Sequence, residues 1–439
     1  MSYREIKFMN KGVSIIMMSF RKKIALLLFA TGAGFSTIAS AEMVQLEYSS
    51  SVTLSSLTQY VYEHHPKRHS ELAQQQQANA NTELAEATFA GARTVNLRHQ
   101  NDFVGSSDGL QEWEATVDMP LWLSGQKQTQ LQLSDKILAE LPSYQQQVRL
   151  EASAIVRDLI WRIIKASNTA EQAYQVWQTA KKLERDVVAR VKAGELAGTE
   201  QLLVNTNVIE MHSQYELAQA ELEHALTSYR RLTGEQVLPK EFEESLPMSV
   251  VENEQHHSAT QVMPSHPSLK MWDQRIDTLR AKQDIAHFDG AVNPVVSVGV
   301  RSERGDRTAK FNNSIGVGIS LAFDDTVYRK PAVANATRAL ADAEMARLQL
   351  ERDLNITVFT QLHDLETKRQ QLKLIIEQDT ATKKYLALQQ RAFDLGEIDL
   401  ISLLRTQALA NKSHNRKLAL EIEIKYLIAT VNQAVGVTL

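Results

Sequence analysis

Histidines are the residues of this chain whose grouping most resembles a chemical site, because neutral imidazole is a common metal ligand. Two groups of three stand out: His64, His65 and His69, and then His256, His257 and His266. Neither group pairs with a carboxylate at the i, i+4 spacing of a helix-borne zinc site. The chain contains no cysteine, which excludes thiolate metal sites, iron–sulfur clusters and disulfides. We therefore predict no metal and no cofactor, with the histidines solvated in loops.

No catalytic arrangement stands out. Gly316 and Gly318 form a short glycine pair, but the third glycine and the following helix of a dinucleotide-binding loop are missing. A phosphate-binding loop is also missing from the sequence. The sequence therefore predicts a protein that is not an enzyme.

Three carboxylates surround a glycine near the end of the chain. Asp394, Glu397 and Asp399 flank Gly396. When symmetry repeats such carboxylates, they form rings that favour cations and repel anions. We interpret the three as a candidate gate, or acidic ring. The alternative is that charges at helix ends are simply solvated and favoured by the helix dipole.

These residues belong to a chain of long elements. Among 439 residues there are only 17 glycines and 9 prolines, so helices are rarely interrupted. A single helix over 332–395 would be roughly 96 Å long at 1.5 Å per residue. Such a helix cannot bury its apolar stripe in a compact monomer and needs coiled-coil neighbours. Pro142 is expected to kink or restart its helix, and Pro331 to lie in a first turn.

Two pairs of segments alternate apolar and polar residues with a period of two, which predicts β-hairpins at 93–122 and 294–323. Strands of this length match those that cross a bilayer. Four residues are expected to face lipid: Trp113, Val117, Ile319 and Leu321. Four strands cannot close a barrel, and open edges are not tolerated in lipid, so copies from several chains must join. A soluble β-sandwich half-covered by helices is the alternative.

The chain is organised as a duplicated unit. His65-Pro66 recurs as His266-Pro267 at an offset of roughly 201 residues, which marks a domain-scale repeat. We assign 42–234 to the first repeat, with a helix, a hairpin and a long helical pair whose tip lies near 194. Residues 235–265 are a loop-like linker. The second repeat, 266–439, has the same order of elements and a tip near 396.

The first 41 residues resemble a secretory signal peptide. Three basic residues at 21–23 precede an apolar run at 24–33 that is too short to span a bilayer, and small residues follow at 39–41. Export is therefore predicted, with either Met1 or Met18 as the start and a membrane anchor as the alternative. An isoelectric point near 6.3 argues against nucleic-acid binding.

The sequence resembles the TolC family of outer-membrane efflux channels over essentially the whole chain after residue 41. The most specific similarity is a tip motif that occurs twice, as VKAGELAGTEQLL at 191–203 and FDLGEIDLISLL at 393–404. The first copy departs from the second by one extra residue before its leucine pair. The residues WEA…MPLW…GQ between 113 and 126, and NQAVGV at 432–437, are similar to the heavy-metal branch. That branch partners resistance-nodulation-division (RND) pumps.

The resemblance implies a mainly helical homotrimer, with a twelve-stranded β-barrel in the outer membrane and a long α-helical barrel in the periplasm. It implies a passive conduit that docks to a periplasmic adaptor and an inner-membrane RND-type pump, and exports heavy-metal cations. Drug efflux, type I protein secretion and a non-pore periplasmic coiled-coil scaffold are the alternatives. The implied adaptor-docking residues lie at the two tips: Gly194, Glu195, Leu202, Leu203, Gly396, Glu397, Leu403 and Leu404.

Overall fold

The computed structural model describes residues 46–248, 250, 264–323 and 325–439. The predicted signal peptide and the histidines at 256 and 257 lie outside the described residues, as do residues 251–263 of the predicted linker.

Long helices and short strands alternate along the chain. The described helices are α1 (Leu54–Glu63), α2 (Arg68–Glu86), α3 (Gln126–Lys192), α4 (Gly198–Thr233), α5 (Pro267–Ala286), α6 (Thr326–Asp394) and α7 (Leu400–Ala434). The described strands are β1 (Tyr48–Ser49), β2 (Thr94–Asn101), β3 (Gln111–Pro120), β4 (Leu238–Pro239), β5 (Val295–Arg304) and β6 (Asn312–Ser320).

The first helical segment is two helices, where the sequence predicts one. The Thr53 side chain caps α1 by accepting a hydrogen bond from the Ser56 amide at 3.1 Å, and the Ser56 hydroxyl accepts one from the Thr53 amide at 3.0 Å. The break between α1 and α2 contains Pro66. Proline has no amide hydrogen, and it disfavours the helical conformation in the residue before it.

Two helices are far longer than usual. α3 has 67 residues and α6 has 69, so each is on the order of 100 Å long. Pro142 does not restart α3, because the helix continues without a break on both sides of it. Pro331 lies in the second turn of α6 rather than the first. A proline removes one intrahelical hydrogen bond, and the packing of α2 and α5 along α3 supports the helix around Pro142.

The helices pair in antiparallel hairpins, α3 with α4 and α6 with α7. No helix among the described residues is both long enough and apolar enough to cross a membrane.

The two predicted β-hairpins form one antiparallel sheet with the strand order β2-β3-β5-β6. The central pairing joins the two halves of the chain, from Gln111 opposite Arg304 to Pro120 opposite Val295. β2 and β6 are therefore the edges of this sheet.

The predicted linker is partly ordered as a strand. β4 pairs with β1 in parallel, and the Leu238 amide donates to the Glu47 carbonyl at 2.8 Å. A short strand therefore lies within the predicted loop-like linker. The pairing depends on residues far upstream, so local composition does not reveal it.

A buried core lies where α1, α3, α4 and β4 meet. The Tyr229 ring is fully buried there, and its hydroxyl donates to the Val237 carbonyl at 2.8 Å. Burial raises the pKa of Tyr229 to about 12.

A charged network fastens the end of the chain to α3. Arg157, only 4% exposed, makes a two-pronged ion pair with Glu244 at 2.9 and 2.7 Å. Its guanidinium also donates to Gln433 at 2.6 Å and to the Val437 carbonyl at 3.0 Å. One buried cation thus connects α3, the segment after β4 and the C-terminal residues.

Candidate functional site

The turns at the two helical tips have the same backbone geometry. Gly194 and Gly396 have φ of 78° and 77°, a region that glycine enters without the steric cost of a Cβ. The next amide folds back in both turns, from Glu195 to the Arg190 carbonyl and from Glu397 to the Ala392 carbonyl, each at 2.9 Å. This is the Schellman arrangement that ends a helix. A Cβ added to either glycine meets no atom within 4 Å, so the constraint is conformational rather than steric crowding.

The helices that leave the tips begin differently. Asp399 caps α7 by accepting a hydrogen bond from the Ser402 amide at 2.8 Å. Hydrogen bonds from Ser402 hold the pKa of the Asp399 carboxyl below its usual value. α4 follows Ala197 and has no side-chain cap. The second tip is therefore the more strongly specified turn, in agreement with the looser first motif.

The two tips pack against each other. A buried apolar cluster joins them, formed by Leu183, Val187, Val204, Phe393, Leu400 and Leu403. Arg190 of α3 reaches across to α6, where its guanidinium donates to the Phe393 carbonyl at 3.1 Å and to the Asp394 carboxylate at 3.3 Å. The same guanidinium lies 5.1 Å from the centre of the Phe393 ring. Sequence reasoning missed Arg190, because a basic residue in a last helical turn usually only complements the helix dipole.

The leucines predicted to dock an adaptor have different environments. Leu202 is 68% exposed and Leu203 lies at the surface, whereas Leu403 is fully buried. Leu404 packs partly buried against the cluster between the tips. Leu403 therefore supports the tip from inside, which corrects its prediction as a docking contact. The sequence pairs Leu202-Leu203 with Leu403-Leu404 by position, but packing between the tips separates their environments.

Two of the three predicted gate carboxylates have local partners. Asp394 pairs with Arg190, and Asp399 caps α7. Glu397 is exposed, as is Glu195 at the first tip. The acidic ring itself stays a prediction, because it requires several copies of the chain.

The far end of the molecule presents a sheet with one apolar face. Residues of the four strands align in rows, such as Val95, Val117, Val298 and Val317. Trp113, Val117 and Ile319 lie on this face, since alternate residues of a strand point the same way. Leu321 lies just beyond the end of β6 and is exposed.

The opposite face of the sheet is polar. Arg301 pairs with Glu112 at 2.9 Å and with Glu303 at 2.7 Å. The side-chain amide of Asn96 donates a hydrogen bond to the Asp118 carboxylate at 2.6 Å. The four strands thus separate an apolar surface from a charged one.

The histidines of the two His-Pro dipeptides, His65-Pro66 and His266-Pro267, accept hydrogen bonds from nearby backbone amides. Nδ1 of His266 accepts a hydrogen bond from the Ser268 amide, and Nδ1 of His65 accepts one from the Lys67 amide, both at 3.2 Å. His266 is buried, contrary to the expectation of a solvated loop residue, and burial lowers its pKa. Within the described residues, no three histidine, aspartate or glutamate side chains are grouped so that they could hold a metal ion.

No protein-family model and no curated protein matches this sequence. Solved structures do match. A structure of CusC, from work on transmembrane channel formation, has a TM-score of 0.67 at 12% identity and covers 87% of this chain and 92% of its own. The Campylobacter jejuni CmeC outer membrane channel has a TM-score of 0.67 at 12% identity and covers 94% of both chains. The outer membrane protein VceC of Vibrio cholerae has a TM-score of 0.65 at 11% identity and covers 87% of this chain and 96% of its own.

This chain has the fold of the outer-membrane channels. The likeness extends over the helical hairpins and the sheet together, since it covers nearly the full length of each chain. It agrees with the fold that the sequence resemblance to the TolC family implies.

Proposed function

We propose that the protein is the outer-membrane channel of a tripartite efflux system, a passive conduit rather than an enzyme. One observation carries the proposal: two helices on the order of 100 Å long, each paired with a shorter helix, connect to a four-stranded sheet with one apolar face and two edges. The fold shared with CusC, CmeC and VceC supports it.

The edges of the sheet support assembly from several copies. Among the described residues, β2 pairs only with β3, and β6 pairs only with β5. Unpaired strand edges are not tolerated inside a bilayer. Since β2 and β6 run in opposite directions, β6 of one copy can continue the antiparallel sheet with β2 of the next. Three copies give a closed barrel of twelve strands, within the known range.

Exposed apolar residues on α6 support the same assembly. Large side chains lie uncovered along most of its length: Met345, Leu348, Ile356, Phe359, Leu374 and Leu388. Extended apolar surfaces on a protein are usually covered by a partner. In the homotrimer, neighbouring helices would cover them and form the wall of a periplasmic tunnel. The equivalent order of elements in 42–234 and 266–439 gives this wall six similar hairpins.

The tips are the proposed site for the periplasmic adaptor. The exposed side chains there combine apolar and acidic groups: Leu202, Leu203, Leu395, Ile401, Glu195 and Glu397. The first tip contributes its leucine pair directly. The second contributes Leu395 and Ile401 in place of Leu403. An inner-membrane RND-type pump would supply the transported molecules.

Heavy-metal cations are the proposed substrate, on the sequence similarity of 113–126 and 432–437 to the heavy-metal branch. Drug efflux and protein secretion are the competing assignments. A non-pore periplasmic scaffold does not account for the continuous apolar face of the sheet.

The decisive experiment locates the protein and measures its conductance. We expect it in the outer-membrane fraction, migrating as a heat-modifiable trimer, and forming pores in planar bilayers. A periplasmic protein without pore activity contradicts the proposal. Deleting the gene and measuring sensitivity to metal salts and to drugs then assigns the substrate.

A further inference from the structure

The apolar face of the sheet contains a groove below a cationic patch. The groove, about 550 Å³ in volume, is lined on this face by Leu97, Trp113, Ala115, Val300 and Ile315. Ala115 lies in register between Leu97 and Val300. It is the smallest side chain in its row, so the surrounding residues enclose a depression at that point.

Polar groups lie directly above the groove, toward the hairpin loops. Ser302 and Asn313 line its upper end, in the row of Trp113. The Trp113 ring is stacked on His99, with 3.9 Å between the ring centres. An indole at the boundary between an apolar and a polar zone is typical of a membrane interface.

Arg304 lies opposite Gln111 on the same face of the sheet, two residues closer to the hairpin loops than the row of Trp113. Its guanidinium carbon is 5.0 Å from the centre of the Phe311 ring, and its Nε is buried without a hydrogen-bond partner. Among the described residues, no ion pair joins Arg304 or the exposed Lys310 to a carboxylate. Without an ion pair, the part-exposed Arg304 keeps its charge for an acidic ligand, which would contact the terminal nitrogens of the guanidinium rather than the buried Nε.

Two acidic residues of the hairpin loops form hydrogen bonds within their own loops. Asp306 accepts hydrogen bonds from the Thr308 amide at 2.7 Å and the Ala309 amide at 2.9 Å. Asp102 holds its own loop by accepting from Ser106 at 2.9 Å and from the Gly109 amide at 3.0 Å. Hydrogen bonds from Thr308, and to a smaller extent the charge of Arg304, lower the pKa of Asp306. Arg304 and Lys310 still lie at this edge of the apolar face without an ion-pair partner among the described residues.

We propose that this surface binds a phosphorylated glycolipid of the outer leaflet, with one acyl chain in the Ala115 groove and a phosphate on Arg304. From the Ala115 row to the Arg304 row is four residues, roughly 13 Å along the strand. This distance places Ser302, Asn313 and Trp113 beside the sugar, between chain and phosphate. Arginine recognises phosphate through two parallel hydrogen bonds. The inference rests on the proposed function, which places the hairpin loops at the outer surface.

The test uses the full-length protein purified in detergent and incubated with bis-phosphorylated lipid A. The retained lipid is counted by native mass spectrometry. Wild type should retain lipid A, and Arg304→Gln should lower its affinity about tenfold, because a charge-assisted hydrogen bond is lost. Ala115→Leu, which fills the groove, should also weaken retention. Arg98→Gln removes the same charge from the polar face and is the matched control, with retention as in wild type.

Two results overturn the lipid site. One is equal retention by wild type, Arg304→Gln and Arg98→Gln. The other is equally tight binding of phosphatidylglycerol or of dephosphorylated lipid A. Fractionation and conductance of the same preparations test the proposed function separately. If the protein inserts and conducts, but Arg304→Gln retains lipid A as wild type does, only this inference is contradicted and the proposed function stands.

Discussion

At the scale of single residues, Gly396 and Gly198 form an instructive pair. Both have open space where a Cβ would lie, but only Gly396 has a positive φ. The tip turn therefore requires glycine at 396 for its backbone conformation. A substitution to alanine at 198 is the control, because it adds the same side chain without a change in φ.

We expect Gly396→Ala to destabilise the tip by about 1–2 kcal/mol, the cost of left-handed backbone in an L-residue. Gly198→Ala should be neutral or stabilising, because alanine favours the helix in which residue 198 lies. Hydrogen exchange of the tip amides measures the difference, and export should fall only for Gly396→Ala. Equal exchange rates in the two variants would show that the turn does not depend on φ.

The ion pair of Arg157 with Glu244 makes a second prediction at this scale. Arg157→Met should cost about 3–5 kcal/mol, because it leaves the nearly buried Glu244 carboxylate without its cation, with only Asn432 still donating to it. Changing both partners to methionine should restore much of that loss. Denaturant unfolding of the wild type, both single variants and the double variant gives the free energies of unfolding for a double-mutant cycle. The exposed pair of Arg162 with Asp158 is the control, where Arg162→Met should cost no more than about 1 kcal/mol.

At the scale of elements, the helical tips separate packing from docking. Leu403→Ala should destabilise the protein by about 2–5 kcal/mol, because it leaves a cavity between the tips. Leu202→Ala should change stability by less than about 0.5 kcal/mol, as surface substitutions usually do, while it weakens adaptor binding. Thermal unfolding combined with adaptor pull-down distinguishes the two variants. Loss of stability in Leu202→Ala would place the first tip inside the core.

The strand β6 makes the corresponding prediction for the membrane. Ile319→Arg should impair insertion, at a cost of about 2–4 kcal/mol if the residue lies near the bilayer midplane. Ser320→Arg, on the opposite face of the same strand, should be tolerated far better. The fraction of protein that migrates as a heat-modifiable trimer reports the effect. If both variants insert equally well, the apolar face does not contact lipid.

At the scale of the whole molecule, the absence of cysteine makes the trimer testable by cross-linking. Leu97→Cys on β2 combined with a cysteine at 315, 317 or 319 on β6 should give a disulfide-linked trimer in at least one pairing. Residues on one face of adjacent strands approach within disulfide range. Leu97→Cys with Gly316→Cys should not cross-link, since these side chains point to opposite faces. A protein of single-protomer mass in detergent would rule out the assembly.

Features that depend on local pattern could be predicted from the sequence alone. Alternation with a period of two located both hairpins to within a few residues, because every second side chain of a strand meets the same environment. Scarce glycine and proline predicted the long helices. Gly194 and Gly396 predicted the two tips, because ending a helix in this way requires positive φ.

Which of these elements contact each other could not be predicted from local pattern, because it depends on the three-dimensional fold. The pairing of β3 with β5 merges two hairpins into one sheet, and many registers satisfy the same alternation. Arg190 reaches Asp394 and Arg157 reaches Glu244 across long stretches of chain, and charged residues in helices carry no local sign of their partner. Leu202 and Leu403 hold similar positions in their motifs, yet one is exposed and the other buried. Burial depends on what packs against a residue, and that neighbour comes from a distant part of the sequence.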